Sequence, residues 1–144
     1  MGRNRIEIIL EGCEATRSFA AAFSQDLLRH SHSSLIALSG DLGAGKTTFM
    51  QGLVAGLGGC EAMVQSPTFV YLHHYPTATP VFHFDLYRLR SADDFLAMGF
   101  EEYFDKPGIT AIEWPERIAS ILPSTAIRIH LSVISETARC LVIA

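Results

Sequence analysis

Lysine is almost missing from this chain: Lys46 and Lys106 are the only two in 144 residues. The arginines are scattered, no run of them forms, and the formal charge is −4 at pH 7. A protein that grips nucleic acid unaided usually carries a basic patch or stripe. Direct high-affinity RNA or DNA binding is therefore not expected, although a contact shared with partners stays open. Cysteine is scarce too. Cys13, Cys60 and Cys140 are odd in number, far apart and lack a Cys-x-x-Cys spacing, which argues against a zinc site and against a disulfide framework. Reduced thiols in a cytoplasmic protein are the simplest reading. Long apolar runs are absent. Ile6-Glu7-Ile8-Ile9-Leu10 is short and interrupted by a charge, so neither a signal peptide nor a membrane span is expected. Ile6 stands where a myristoylation motif needs Ser or Thr, and Cys140 lies one place too early for prenylation. No repeat, low-complexity tract or linker divides the chain, and its length suits one domain over 1–144. Hydrophobic residues make up 49% and charged residues 18%. That balance implies a dense core, or else some apolar surface that faces a partner.

What the chain does have is a phosphate-binding signature. Gly40 to Thr47 read Gly-Asp-Leu-Gly-Ala-Gly-Lys-Thr, which fits G-x-x-x-x-G-K-[ST]. The apolar run Leu35-Ile36-Ala37-Leu38 before it suits a buried strand, and Phe49, Met50, Leu53, Val54 and Leu57 follow at helical spacing. Strand, loop and helix thus occur in the required order. Glycine lets backbone wrap closely around a polyphosphate, and free N–H groups at a helix start point at the anion. Asp41, Leu42, Gly43, Ala44 and Gly45 are the candidate cradle. Lys46 offers a mobile charge to the outer phosphates, Thr47 a hydroxyl to magnesium, and Thr48 a second contact. Asp41 could equally brace the loop.

Further elements can be read along the chain. Arg5 to Leu10 suits a strand. Cys13 to Arg29 suits a helix with Phe19, Phe23 and Leu27 on one face. Gly58-Gly59 closes the helix after the loop, and Thr68 to Tyr75 is strand-like. Val81 to Tyr87 alternates, with His83, Asp85 and Tyr87 on one side. Ser91 can cap a short helix through Met98, with another short helix around Glu101 to Phe104. Ile109 to Trp114 is a second apolar strand, and Pro115 can open a helix over Glu116 to Leu122. Ile127 to Val133 and Cys140 to Ala144 form a closing hairpin. Strands interleaved with helices predict an α/β fold: a P-loop NTPase-like three-layer domain, its central sheet mixed but mainly parallel, extended by antiparallel hairpins. Ligand should bind at the carboxyl ends of the parallel strands.

Phosphoryl transfer on such a scaffold needs positioning and charge neutralisation. Glu113, closing the apolar stretch Thr110-Ala111-Ile112, is a candidate magnesium ligand, because a carboxylate there is costly to bury unless paired or metal-bound. A solvent-facing strand end is the alternative. Asp85 reads as a residue that orients water or reaches the magnesium shell. His83 reads as a hydrogen-bonded strand residue, since no third ligand completes a zinc site with Asp85. Trp114, the only tryptophan, reads first as core packing. Arg88 and Arg90 suit surface salt pairs or a phosphate contact.

Four blocks together resemble the bacterial TsaE family: Gly40 to Phe49, Ser66-Pro67-Thr68-Phe69, His83-Phe84-Asp85-Leu86-Tyr87-Arg88-Leu89, and Ile112-Glu113-Trp114-Pro115-Glu116. They stand in the family's order and spacing, and the likeness runs over essentially the whole chain. The resemblance implies binding of ATP and Mg2+, weak intrinsic ATPase activity, and work with TsaD and TsaB. Those partners transfer a threonylcarbamoyl group to adenosine at position 37 of tRNA, and ATP use by the TsaE-like subunit resets them between turnovers. Contact with tRNA is expected only through that complex. The implied catalytic residues are Lys46, Asp85 and Glu113. Lys46 would hold phosphates, Thr47 and Glu113 magnesium, and Asp85 would serve hydrolysis. Trp114 would complete the site, and Thr68 would sense the γ-phosphate from a switch-like loop. Thr16 and the closing hairpin are candidates for the adenine pocket. The extended C-terminal tail of some members has no counterpart here.

The rival from another class is a small-molecule kinase, whose loop would look the same. It would also need an acceptor pocket and an arginine-rich lid, and only Arg88 and Arg90 could contribute to one. A GTPase is disfavoured by the absence of an Asn-Lys-x-Asp motif. A nucleotide-dependent binding module is a third reading and overlaps with the family role.

Overall fold

A computed structural model describes residues 4–64 and 70–144. Strand β1 (Ile6–Glu11) leads into helix α1 (Gly12–His30). Strand β2 (Ser33–Ser39) precedes the loop over 40–45 and helix α2 (Lys46–Gly56). After a 3-10 turn come β3 (Leu72–Tyr75), β4 (Val81–Asp85) and α3 (Ala92–Ala97). A 3-10 helix over Phe100–Asp105 leads to β5 (Gly108–Glu113), and a second over Pro115–Ile118 follows it. The chain closes with β6 (Ile127–Val133) and β7 (Ala138–Ile143).

Among the described residues, seven strands join one sheet in the order β1-β7-β6-β2-β5-β4-β3. The central four, β6, β2, β5 and β4, are parallel to one another. Antiparallel pairing adds β7 and β1 at one edge and β3 at the other. The expected mixed sheet with a parallel centre and hairpin extensions is what forms.

Side-chain alternation shows why the sheet is covered on both faces. Ile36 and Leu38 of β2 join the cluster that includes Phe49, Met50, Leu53 and Val54 of α2. Leu35 and Ala37 of the same strand join the opposite cluster, with Phe95 of α3 and Ile118. Successive strand residues point to opposite faces, so a central strand buried on both sides must be apolar throughout. The helical layer over the first face is tight. A Cβ on Gly52 would lie 2.3 Å from the Arg17 carbonyl oxygen, and one on Gly56 would lie 2.4 Å from Ser24 Oγ. These two glycines, one turn apart, let α2 press against the backbone of α1.

Several elements are shorter than the sequence predicts. The helix expected over Glu116 to Leu122 is one 3-10 turn over Pro115–Ile118, after which the Ile121 and Leu122 N–H groups both fold back onto the Ile118 carbonyl at 3.0 Å. The Val81 strand stops at Asp85, whose carboxylate accepts the Tyr87 N–H at 2.9 Å and turns the chain. Of the strand expected over Thr68 to Tyr75, Thr68 and Phe69 lie outside the described residues, Val70 and Tyr71 are irregular, and the strand itself is Leu72–Tyr75. Ser91 caps α3 as expected, accepting the Asp94 N–H at 3.2 Å. Among the described residues no helix is long and apolar enough to cross a membrane.

Candidate functional site

Register carries distant residues to one edge of the sheet. Glu113 pairs across strands with Leu38 on β2 and with Asp85 on β4, so all three lie at the carboxyl ends of parallel strands. β1 is antiparallel to β7, and β7 to β6, so β1 runs in the direction of β6. The start of α1 and the β6–β7 turn therefore meet at that same edge, where the Gly12 N–H donates to the Thr137 carbonyl at 2.7 Å.

These segments enclose a cavity of about 810 Å³. Leu42, Gly43, Gly45, Lys46, Thr47 and Thr48 line it from the loop, joined by Asp85, Glu113, Trp114 and Thr16. Asp41 and Ala44 do not line it. Ala44 is buried beneath the loop, whereas Asp41 is exposed and accepts the Ala44 N–H through its carbonyl at 3.0 Å. Gly43 and Gly45 have φ of 82° and 104°, and a Cβ on either would meet nothing within 4 Å. Their open sides leave room for a ligand against backbone, a conformation that side chains other than glycine adopt at a cost.

Lys46 is only 6% exposed. Its Nζ donates to the Gly40 carbonyl at 2.5 Å and lies 3.9 Å from the centre of the Trp114 ring. Burial pushes the ammonium pKa down, and the charges of Glu113 and Asp85 oppose that shift. Trp114 is the only non-glycine residue with positive φ among those described. This costly turn accompanies a ring that covers Lys46 and packs on Tyr87 at 5.0 Å between centroids. Trp114 is thus part of the site wall as well as of the packing. Burial raises the Asp85 carboxyl above its ordinary range, against the pull of the Tyr87 N–H.

His83, buried on β4, bonds through both ring nitrogens: Nδ1 with the Tyr75 hydroxyl at 2.8 Å and Nε2 with Glu113 Oε2. The hydrogen-bonded reading of His83 fits this geometry. Burial and the Glu113 charge push the Tyr75 phenol up to about 12. Thr47 and Glu113 contribute a hydroxyl and a carboxylate to the same cavity, hard oxygen donors of the kind magnesium takes.

The matching family model is that of the threonylcarbamoyl adenosine biosynthesis protein TsaE, which matches residues 10–141. The chain belongs to the TsaE family. A Treponema pallidum relative is 40% identical over 111 residues, covering 77% of this chain and 82% of that protein. A Rickettsia bellii relative is 35% identical over 134 residues, covering 92% and 90%. A Nostoc relative is 45% identical over 111 residues, covering 74% and 67%. All three carry the name tRNA threonylcarbamoyladenosine biosynthesis protein TsaE. The crystal structure of Bacillus subtilis YdiB superposes with a TM-score of 0.78 at 26% identity, covering 99% of this chain and 86% of that one.

The geometry of this TsaE-family chain also includes residues that sequence reasoning did not single out. Gly12, Cys13, Tyr87, Glu136 and Arg139 line the cavity. Arg139 Nη2 donates to the Gly43 carbonyl at 3.3 Å, linking the closing hairpin to the 40–45 loop. No local pattern marks a contact between residues 96 apart. Thr16, a candidate implied by the family resemblance, also lines the cavity and is 2% exposed on the first turns of α1.

Proposed function

We propose that this chain is the ATP-binding, weakly ATP-hydrolysing subunit of the machinery that makes N6-threonylcarbamoyladenosine in tRNA. In this reading it acts in the cytoplasm as one P-loop domain and supports repeated turnovers of TsaD and TsaB. The observation that carries the reading is the convergence of Lys46, Thr47, Asp85 and Glu113 on one cavity beneath a glycine loop. Family membership favours it over a small-molecule kinase.

Each residue has a physical task. The loop backbone from Gly43 and the first turn of α2 hold the phosphate tail, where free N–H groups and the helix dipole favour an anion. Lys46 neutralises charge on the outer phosphates from a site with little water, where its attraction is strong. Thr47 and Glu113 would hold magnesium, which when bound would offset the charge of the phosphates. Asp85 orients the attacking water, its raised pKa reflecting a buried position next to Glu113. Thr16 and the β6–β7 hairpin border the cavity beyond the loop and suit the adenine end.

The test is reconstitution. Purified TsaD and TsaB are combined with tRNA, threonine, bicarbonate, ATP and the enzyme that makes threonylcarbamoyl-adenylate. Several rounds of modification per complex are expected only when this chain is present. Unchanged turnover without it, or phosphorylation of a small metabolite by this chain, would overturn the proposal.

A further inference from the structure

Glu113 and His83 are among the most buried polar residues of the protein, 3% and 1% exposed. A buried carboxylate is costly unless hydrogen-bonded or paired. Glu113 meets this condition through His83, one strand away: His83 stands opposite Ala111 on β5, two residues before Glu113. Glu113 lines the cavity, but His83 does not. The imidazole thus grips the carboxylate from the protein side.

For an ionised Glu113 and a neutral imidazole, hydrogen-bond chemistry gives this line of contacts a direction. An ionised carboxylate only accepts, so Nε2–H donates to Glu113 Oε2. In the neutral ring Nδ1 then accepts, and the Tyr75 hydroxyl donates to it at 2.8 Å. Tyr75 is 4% exposed and belongs to the edge strand β3, opposite Val81. Three neighbouring strands therefore supply an ordered line, Tyr75 to His83 to Glu113.

We propose that His83 and Tyr75 are positioning residues that fix the Glu113 carboxylate at the cavity wall, so that it is available to a divalent cation bound with the nucleotide. This rests on the nucleotide-and-magnesium reading above. His83 acts through Glu113, and Tyr75 acts through His83 by fixing its tautomer and ring orientation.

Two substitutions separate positioning from packing. In His83→Gln the side-chain amide nitrogen falls near the place of Nε2 and keeps a donor for Glu113. In His83→Asn the amide corresponds to Nδ1 and leaves Glu113 without one. ATP affinity is measured by calorimetry in magnesium and in EDTA, with melting temperature recorded for each variant. The quantity read is the ratio of the two affinities. Loss of an outer partner to a metal ligand typically changes affinity about 10–100-fold, so His83→Asn should reduce the ratio by about tenfold or more. Its EDTA affinity should stay near wild type. His83→Gln should retain most of the ratio, and Tyr75→Phe should fall between the two. Equal ratios in the Asn and Gln variants would overturn the proposal. So would parallel losses of affinity with and without magnesium that track the melting temperature. A wild-type protein that binds ATP equally with and without magnesium would instead overturn the metal reading beneath it.

Discussion

Replacing Lys46 with methionine tests the electrostatics of the site most sharply. Methionine keeps much of the apolar stem that packs in the buried position and removes only the charge. In the folded protein the ammonium is 6% exposed, with the Gly40 carbonyl at 2.5 Å and the Trp114 ring at 3.9 Å. A phosphate oxygen that takes such a group as its partner would lie within about 4 Å, where one pair of unit charges is worth about 4 kcal/mol at an effective dielectric near 20. At about 1.4 kcal/mol per tenfold, Lys46→Met should weaken ATP binding by nearly a thousandfold. Stability should move differently. Burial disfavours the charged form enough to lower its pKa despite the neighbouring carboxylates, so removing the charge should leave the melting temperature of the ligand-free protein unchanged or slightly raised. Titration calorimetry and thermal melting on the same samples read both quantities. A variant that binds ATP within tenfold of wild type would refute the phosphate-loop reasoning. A large loss of melting temperature would show instead that Lys46 serves the fold.

Glu113→Gln should lower magnesium-dependent ATP hydrolysis by about a hundredfold, the upper end of what even an outer partner of a metal contributes, with little change in affinity in EDTA; an unchanged rate would remove the metal role. Asp85→Asn should become progressively more stable than wild type as pH rises from about 4, read as a widening difference in melting temperature. The sign follows because a carboxyl whose folded pKa is raised costs stability once it ionises, and costs nothing where both states are protonated. A difference that shrinks with pH would contradict this. Gly52→Ala should destabilise by about 1–3 kcal/mol, because its Cβ would lie 2.3 Å from the Arg17 carbonyl oxygen; an unchanged denaturant midpoint would contradict the close packing of α1 and α2.

The legible parts of this protein were those with local signatures. Gly40 to Thr47 is a contiguous pattern with a strand before and a helix after, so its place could be read directly. Glu113 could be read as a strand-end acid because an apolar run marks β5, and Asp85 as an acid on one face of β4 because alternation marks that strand. Register was not legible. Nothing in the linear chain says that His83 Nε2 meets Glu113, or that Tyr75 stands behind both. The Arg139 contact with Gly43 depends on the β6–β7 hairpin lying beside β2, which only the assembled sheet determines. The 3-10 turn after Trp114 was misread as a longer helix because Pro115 is a good helix opener. The left-handed backbone one residue earlier has no signature in a tryptophan.

The account stands or falls on where a divalent ion sits when a nucleotide is bound. Crystals of this protein grown with a non-hydrolysable ATP analogue and manganese, with data collected at the manganese absorption edge, give that position directly. The expected result is an anomalous peak between the Thr47 hydroxyl and the Glu113 carboxylate, with the phosphate tail against Gly43, Gly45 and Lys46. A nucleotide bound elsewhere on the protein, or a peak remote from Glu113, would contradict the account.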